Sequence, residues 1–85
     1  MKITELNNGR EFRVSFEHNG ESLAALIPEE FLEDNVGDNT SSKERGLWIE
    51  KNFEEIRRTM IAKSDGGFIN PSFGAIKLIQ AEGET

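Results

Sequence analysis

Few residues in this chain are of a type that does chemistry, and their spacing argues against most of them. His18 is the single histidine, between Glu17 and Asn19. A general base needs an orienting partner and a pocket. A position beside a turn offers neither, so His18 reads as a surface turn residue. There is no cysteine, which excludes a thiol nucleophile, a disulfide and a thiolate metal site. One imidazole and scattered carboxylates fall short of a metal ligand set, so no metal and no cofactor are expected. The stretch Asp34 to Thr40 is rich in Asp and Asn but departs from a calcium loop. Val36 stands where Asp or Asn is required, and the sixth place is not glycine. Gly66-Gly67 lacks the spacing and the lysine of a phosphate loop and reads as a helix stop. Asn39-Thr40-Ser41 matches the glycosylation sequon, but with no secretory signal it is a chance match.

The densest charged group is Glu29, Glu30, Glu33 and Asp34. Acid and base roles for two carboxylates require them to sit in different environments. Nothing apolar or cationic stands near these four in sequence to provide that. They read as a solvated face, or as an acidic patch that docks on a basic partner. Trp48 lies one helical turn from Asn52 beside an apolar stripe. It is either a packing residue or a hot spot facing a partner, where Trp is enriched. Leu26 completes the candidate interaction surface, for a reason that depends on strand register.

Phe12, Val14 and Phe16 alternate with Arg13, Ser15 and Glu17, the pattern of a strand buried on one face. Asn19-Gly20 suits the two positive φ values of a type I′ hairpin turn. A two-residue loop there pairs His18 with Glu21, Phe16 with Leu23, Val14 with Ala25 and Phe12 with Ile27. All the apolar partners then share one face, which a one-residue slip would undo. The opposite face carries Arg13, Ser15, Glu17, Ala24 and Leu26 and is expected to stay open to solvent or to a partner. Pro28 ends the second strand and suits the start of a short helix. Glu29 and Glu30 would sit at the positive end of that helix dipole, and Gly37 would stop it. Ser41-x-x-Glu44 has the form of a capping box. One helix is expected from there to about Lys63, with Ile49, Phe53, Ile56 and Met60 as its buried stripe and Glu54–Arg58 as an i, i+4 pair. Asn70-Pro71-Ser72 breaks the chain. Phe73 to Gln80 reads as a last strand, Ile3 to Leu6 as a further one, and residues 81–85 as a frayed tail.

This order of signals resembles the small bacterial proteins grouped as domain of unknown function 1488. Phe12-x-Val14-x-Phe16 runs into Asn19-Gly20. The chain continues through Ile27-Pro28-Glu29-Glu30-Phe31-Leu32-Glu33-Asp34. A helix then carries Trp48, Asn52 and Ile56 in the register W-x-x-x-N-x-x-x-I. The likeness covers roughly residues 12–80. It implies a compact bacterial α+β domain with no assigned activity and no catalytic residues to transfer. The family often has a cysteine in the second strand, where this chain has Ala or Leu.

The 85 residues suit one domain. Apolar residues make up 35% of the chain; with the glycines they reach the share usual for a globular protein. The longest apolar run, Leu23 to Ile27, is far short of the ~20 residues of a membrane span. A soluble, cytoplasmic protein with no membrane partner is expected. The formal net charge is -6, the wrong sign for a protein that grips phosphate backbones. From Arg13 to Lys43 there is no intervening cation, while seven carboxylates accumulate. The expected fold is α+β, a small antiparallel sheet of three or four strands with two helices on one face, in the order β-β-α-α-β. The expected function is a non-catalytic protein-interaction or regulatory module with a protein partner, monomeric or weakly dimeric. A carboxylate-based enzyme or small-ligand binder, and an RNA-binding domain using Lys51, Arg57 and Arg58, are the alternatives.

Overall fold

Asn19 and Gly20 take φ values of 52° and 81°, the pair of positive angles that a type I′ turn requires. The turn joins β2 (Glu11–His18) to β3 (Glu21–Ile27). The register is Phe12↔Ile27, Val14↔Ala25, Phe16↔Leu23 and His18↔Glu21, as the pattern of apolar residues demands. The computed structural model describes residues 1–80; the expected tail, 81–85, lies outside the described residues. Two short strands flank the hairpin. β1 (Lys2–Leu6) pairs antiparallel with β2, and β4 (Lys77–Ile79) pairs antiparallel with β3. The sheet order is β1-β2-β3-β4.

The link from β1 to β2 is a tight turn over Asn7, Asn8 and Gly9, all with positive φ. Asn tolerates this left-handed region better than other residues with a side chain, and Gly enters it freely. Gly9 also lies hard against the helical layer, where a Cβ would collide with that of Ser42.

Three helices cover one face of the sheet, not the expected two. α1 (Glu29–Asn35) follows Pro28, which has extended backbone at the N-cap. α2 (Ser42–Lys51) begins with the capping box: Glu44 N–H donates to Ser41 Oγ at 3.1 Å, and Ser41 N–H to Glu44 Oε1 at 3.0 Å. α3 (Phe53–Asp65) ends at Gly66, whose φ is 86°. The single long helix expected from the spacing is therefore broken at Asn52, where φ is -107° and ψ is 17°. The Asn52 side chain donates from Nδ2 to the Trp48 carbonyl at 2.9 Å, beside the backbone bond from Asn52 N–H to the same oxygen at 3.0 Å, a back-bond of the kind that bends helices.

The break redistributes the buried stripe. Ile49 of α2 and Ile56 and Met60 of α3 are fully buried. Phe53, at the first position of α3, is only half-buried and meets Phe16 edge-on at 5.8 Å. The strand expected over Phe73–Gln80 is shortened to Lys77–Ile79. Asn70 Oδ1 accepts from Ser72 N–H at 3.0 Å, and Phe73 N–H donates to the Asn70 carbonyl at 2.8 Å. These bonds curl Pro71–Phe73 into a 3-10 turn and point Phe73 at the helices instead of the sheet. The core joins Phe12, Val14, Ala25 and Ile27 of the hairpin to Phe31, Leu32, Ile49, Ile56, Met60, Phe73 and Ile76.

Candidate functional site

The four α1 carboxylates do not converge. Glu29 and Glu33 are half-buried, and Glu30 and Asp34 are exposed. Phe31 and Leu32 between them are buried, so α1 spends its apolar side on the core and turns its carboxylates outward. Glu29 borders a shallow depression of about 410 Å³ with Asn7, Asn8, Arg10 and Glu11. Glu30 and Asp34 border another, of about 450 Å³, whose far wall is Pro71, Ser72 and Ala75. Among the described residues none of the four forms an ion pair, and no group of three or more metal-ligating side chains is assembled.

Trp48 stands beside α1. Its ring meets Phe31 at 5.6 Å and stacks with Phe73 at 6.3 Å, while Phe31 and Phe73 meet at 5.2 Å. Trp48 is half-buried, one of three rings that close the end of the helical layer. The cluster draws on α1, α2 and the segment after α3, which sequence spacing does not bring together.

Leu26 lies on the other side of the molecule. By alternation with Ala25 and Ile27 it projects from the sheet face turned away from the helices. That face is less open than the pattern suggests. Arg13 and Ala24 at its middle are 8% and 1% exposed. Ser15 and Leu26 are half-buried, Glu17 is exposed, and Ile79 is 39% exposed. Among the described residues no helix lies above this face, yet its middle is buried. The six candidate residues thus divide between two surfaces: Glu29, Glu30, Glu33, Asp34 and Trp48 on the helical side, Leu26 on the sheet side.

His18 has a partner that its sequence position does not reveal. Its Nε2 lies 3.8 Å from Asp65 Oδ2 at the end of α3, and 3.3 Å from Asn19 Nδ2. Tertiary packing sets the hairpin tip against the helix end, which corrects the expectation of an isolated turn residue. Among the described residues the pair bonds no serine, threonine or lysine. Two of the three cations named for RNA binding are engaged as well. Arg57 bonds Glu54 at 3.2 Å and Arg58 meets Glu55 at 3.9 Å. Both are i, i+3 pairs, in place of the expected Glu54–Arg58.

The residue missed in sequence is Arg45. It is 5% exposed and donates from Nη1 to the Gly9 carbonyl and from Nε to Thr40 Oγ1, both at 3.0 Å. It ties the β1–β2 turn and the loop before α2 to one helix. Its place among charged neighbours on α2 gave no periodic signal of burial.

No family model, no curated protein and no solved structure matches the chain.

Proposed function

We propose that the chain is a non-catalytic protein-interaction or regulatory module. The observation that carries this reading is the sheet face opposite the helices. It presents Leu26 and Ile79 with no described helix across it, in a fold whose other face is fully used by the core. A sheet face that presents partly apolar side chains at its margin is a seat for a partner. The resemblance to domain of unknown function 1488 accords with this reading, since it implies a compact bacterial domain with no assigned activity. A cytoplasmic setting and a monomeric or weakly dimeric state belong to the same proposal.

The test is affinity capture from extracts of the source cell, with the full chain and its Leu26→Asp variant as baits. Circular dichroism establishes that both are folded. The expected result is a protein retained by the parent chain and lost by the variant. A bait that retains no protein in a Leu26-dependent way would sink the reading. Capture of RNA through Arg57 and Arg58, or of a small molecule between Glu30 and Asp34, would favour the alternatives.

A further inference from the structure

Three pairs in this chain place glycine directly after Asn or Asp: Asn8-Gly9, Asn19-Gly20 and Asp65-Gly66. At such a pair the glycine nitrogen can attack the side-chain Cγ of the residue before it, because no Cβ crowds the approach. For asparagine the N–Cγ bond forms and the Cγ–Nδ2 bond breaks. Ammonia leaves, carrying the proton that the glycine nitrogen gives up. The resulting five-membered succinimide takes up one water and opens to aspartate or isoaspartate. No oxidant, metal or enzyme is needed, but the turn must open far enough for the nitrogen to reach Cγ.

The fold treats the three pairs differently. Gly9 is buried against Ser42, and its carbonyl accepts from Arg45 Nη1 at 3.0 Å, so the turn that holds Asn8 is clamped to α2. Gly66 is tied at the nucleophile itself: its N–H caps α3 by donating to the Ala62 carbonyl at 2.6 Å. Asn19 and Gly20 are both exposed, and no atom lies within 4 Å of the place a Gly20 Cβ would take. Among the described residues no backbone carbonyl is bonded to the Gly20 N–H. The Asn19 side chain bonds only the neighbouring His18 ring, at 3.3 Å. A hairpin tip opens locally without disturbing the core, whereas a turn packed against a helix opens only with that helix.

We infer that Asn19-Gly20 is a self-modification site of the folded protein, converting to isoaspartate and aspartate while the fold protects Asn8-Gly9 and Asp65-Gly66. The product changes the hairpin tip in two ways. A new carboxylate stands beside His18, whose ring lies 3.8 Å from Asp65. In the isoaspartate form the backbone also gains one methylene, so a two-residue type I′ loop no longer fits the His18↔Glu21 register. The tip then loses its seat against the end of α3.

The experiment holds the full chain in warm, mildly alkaline buffer, once folded and once in guanidinium chloride, and follows its peptides by tandem mass spectrometry. Deamidation is read from the mass gained when NH2 is exchanged for OH, and isoaspartate from its electron-transfer fragments. In the folded chain Asn19 is expected to convert at least about tenfold faster than Asn8. In guanidinium chloride the two Asn-Gly pairs are expected to convert at similar rates, and Asp65 to isomerise faster than in the folded chain. Asn39, exposed and followed by threonine, is the internal control without glycine. The inference is overturned if Asn8 keeps pace with Asn19 in the folded chain, if Asn19 is as slow as Asn39, or if denaturant leaves the Asp65 rate unchanged. The isoaspartate fraction, separated by ion exchange, reports on the tip. Its amide signals in a nuclear magnetic resonance spectrum are expected to move at His18, Glu21 and Asp65 and to stay at Leu32 and Ile49. An unmoved Asp65 signal would show the modified tip still seated on α3, against the consequence drawn here.

Discussion

Gly9 and Arg45 hold the junction between sheet and helices, and each makes a sharp prediction. At Gly9 a side chain meets two costs, a positive φ and the collision with Ser42. The first amounts to about 1–2 kcal/mol and the second to about 1–3, so Gly9→Ala is expected to destabilise by about 2–5 kcal/mol. Gly20 separates the two costs. Its φ is also positive, at 81°, but no atom lies within 4 Å of the place a Cβ would take, so Gly20→Ala should cost only about 1–2 kcal/mol. Urea denaturation of the two variants measures the difference; equal losses would show that Gly9 is not pressed against α2. Arg45→Met keeps the length of the side chain and removes both donors. Hydrogen bonds of a charged group contribute about 1.5–3 kcal/mol each, so losing both is expected to cost about 3–6 kcal/mol. Arg58→Met, at an exposed pair, should change stability by less than about 0.5 kcal/mol. Arg45 was hidden in sequence because a buried arginine is recognised by its acceptors, here a carbonyl 36 residues away.

At the scale of elements the break at Asn52 matters most. It ends α2 with Ile49 and starts α3 with Phe53, which then packs on Phe16 near the hairpin tip and keeps part of its surface in water. Fully burying a phenylalanine would make its truncation cost about 3–5 kcal/mol; at half burial, Phe53→Ala is expected to cost about 2. Ile56→Ala, from the fully buried stripe, is expected to cost about 3–4 kcal/mol. For a domain of this size each kcal/mol lowers the midpoint by roughly 4–8 °C, so a thermal melt followed by circular dichroism orders the two. A Phe53 variant less stable than the Ile56 variant would mean that α3 is rotated from the arrangement described.

On the scale of the whole molecule, charge and the sheet face opposite the helices decide behaviour. The net charge of -6 and the pairing of Arg57 and Arg58 with their own helix's glutamates leave no continuous basic surface on α3. At physiological salt and micromolar protein no shift of duplex DNA or structured RNA is expected. Salt-sensitive binding lost in the Arg57→Ala/Arg58→Ala variant would contradict that. The chain is expected to sediment as a monomer at low micromolar concentration, because Leu26 and Ile79 make an apolar area too small to force association alone. A dimer that persists at low micromolar concentration and survives Leu26→Lys would move the adhesive surface elsewhere, with the β1 edge the next place to look.

The hairpin was legible in sequence because its information is local. Asn19-Gly20 sets the turn, and period-two alternation on both sides admits one register that buries every apolar residue together. The capping box at Ser41 and Glu44 was legible for the same reason, as both partners lie within one helical turn. What the sequence left open depends on residues far apart in the chain. Asn52 is a local exception: it fits a helical pattern, and its side chain bonds the Trp48 carbonyl one turn back where the two helices meet. Phe73 fits a strand pattern, and it leaves the sheet because Phe31 and Trp48 offer it a ring cluster. His18 gains Asp65 only once the hairpin tip meets the end of α3. The acidic residues of α1 and Leu26 look like one candidate surface in sequence, yet the sheet lies between them. Alternation fixes which way a side chain points, but only packing decides what stands in front of it.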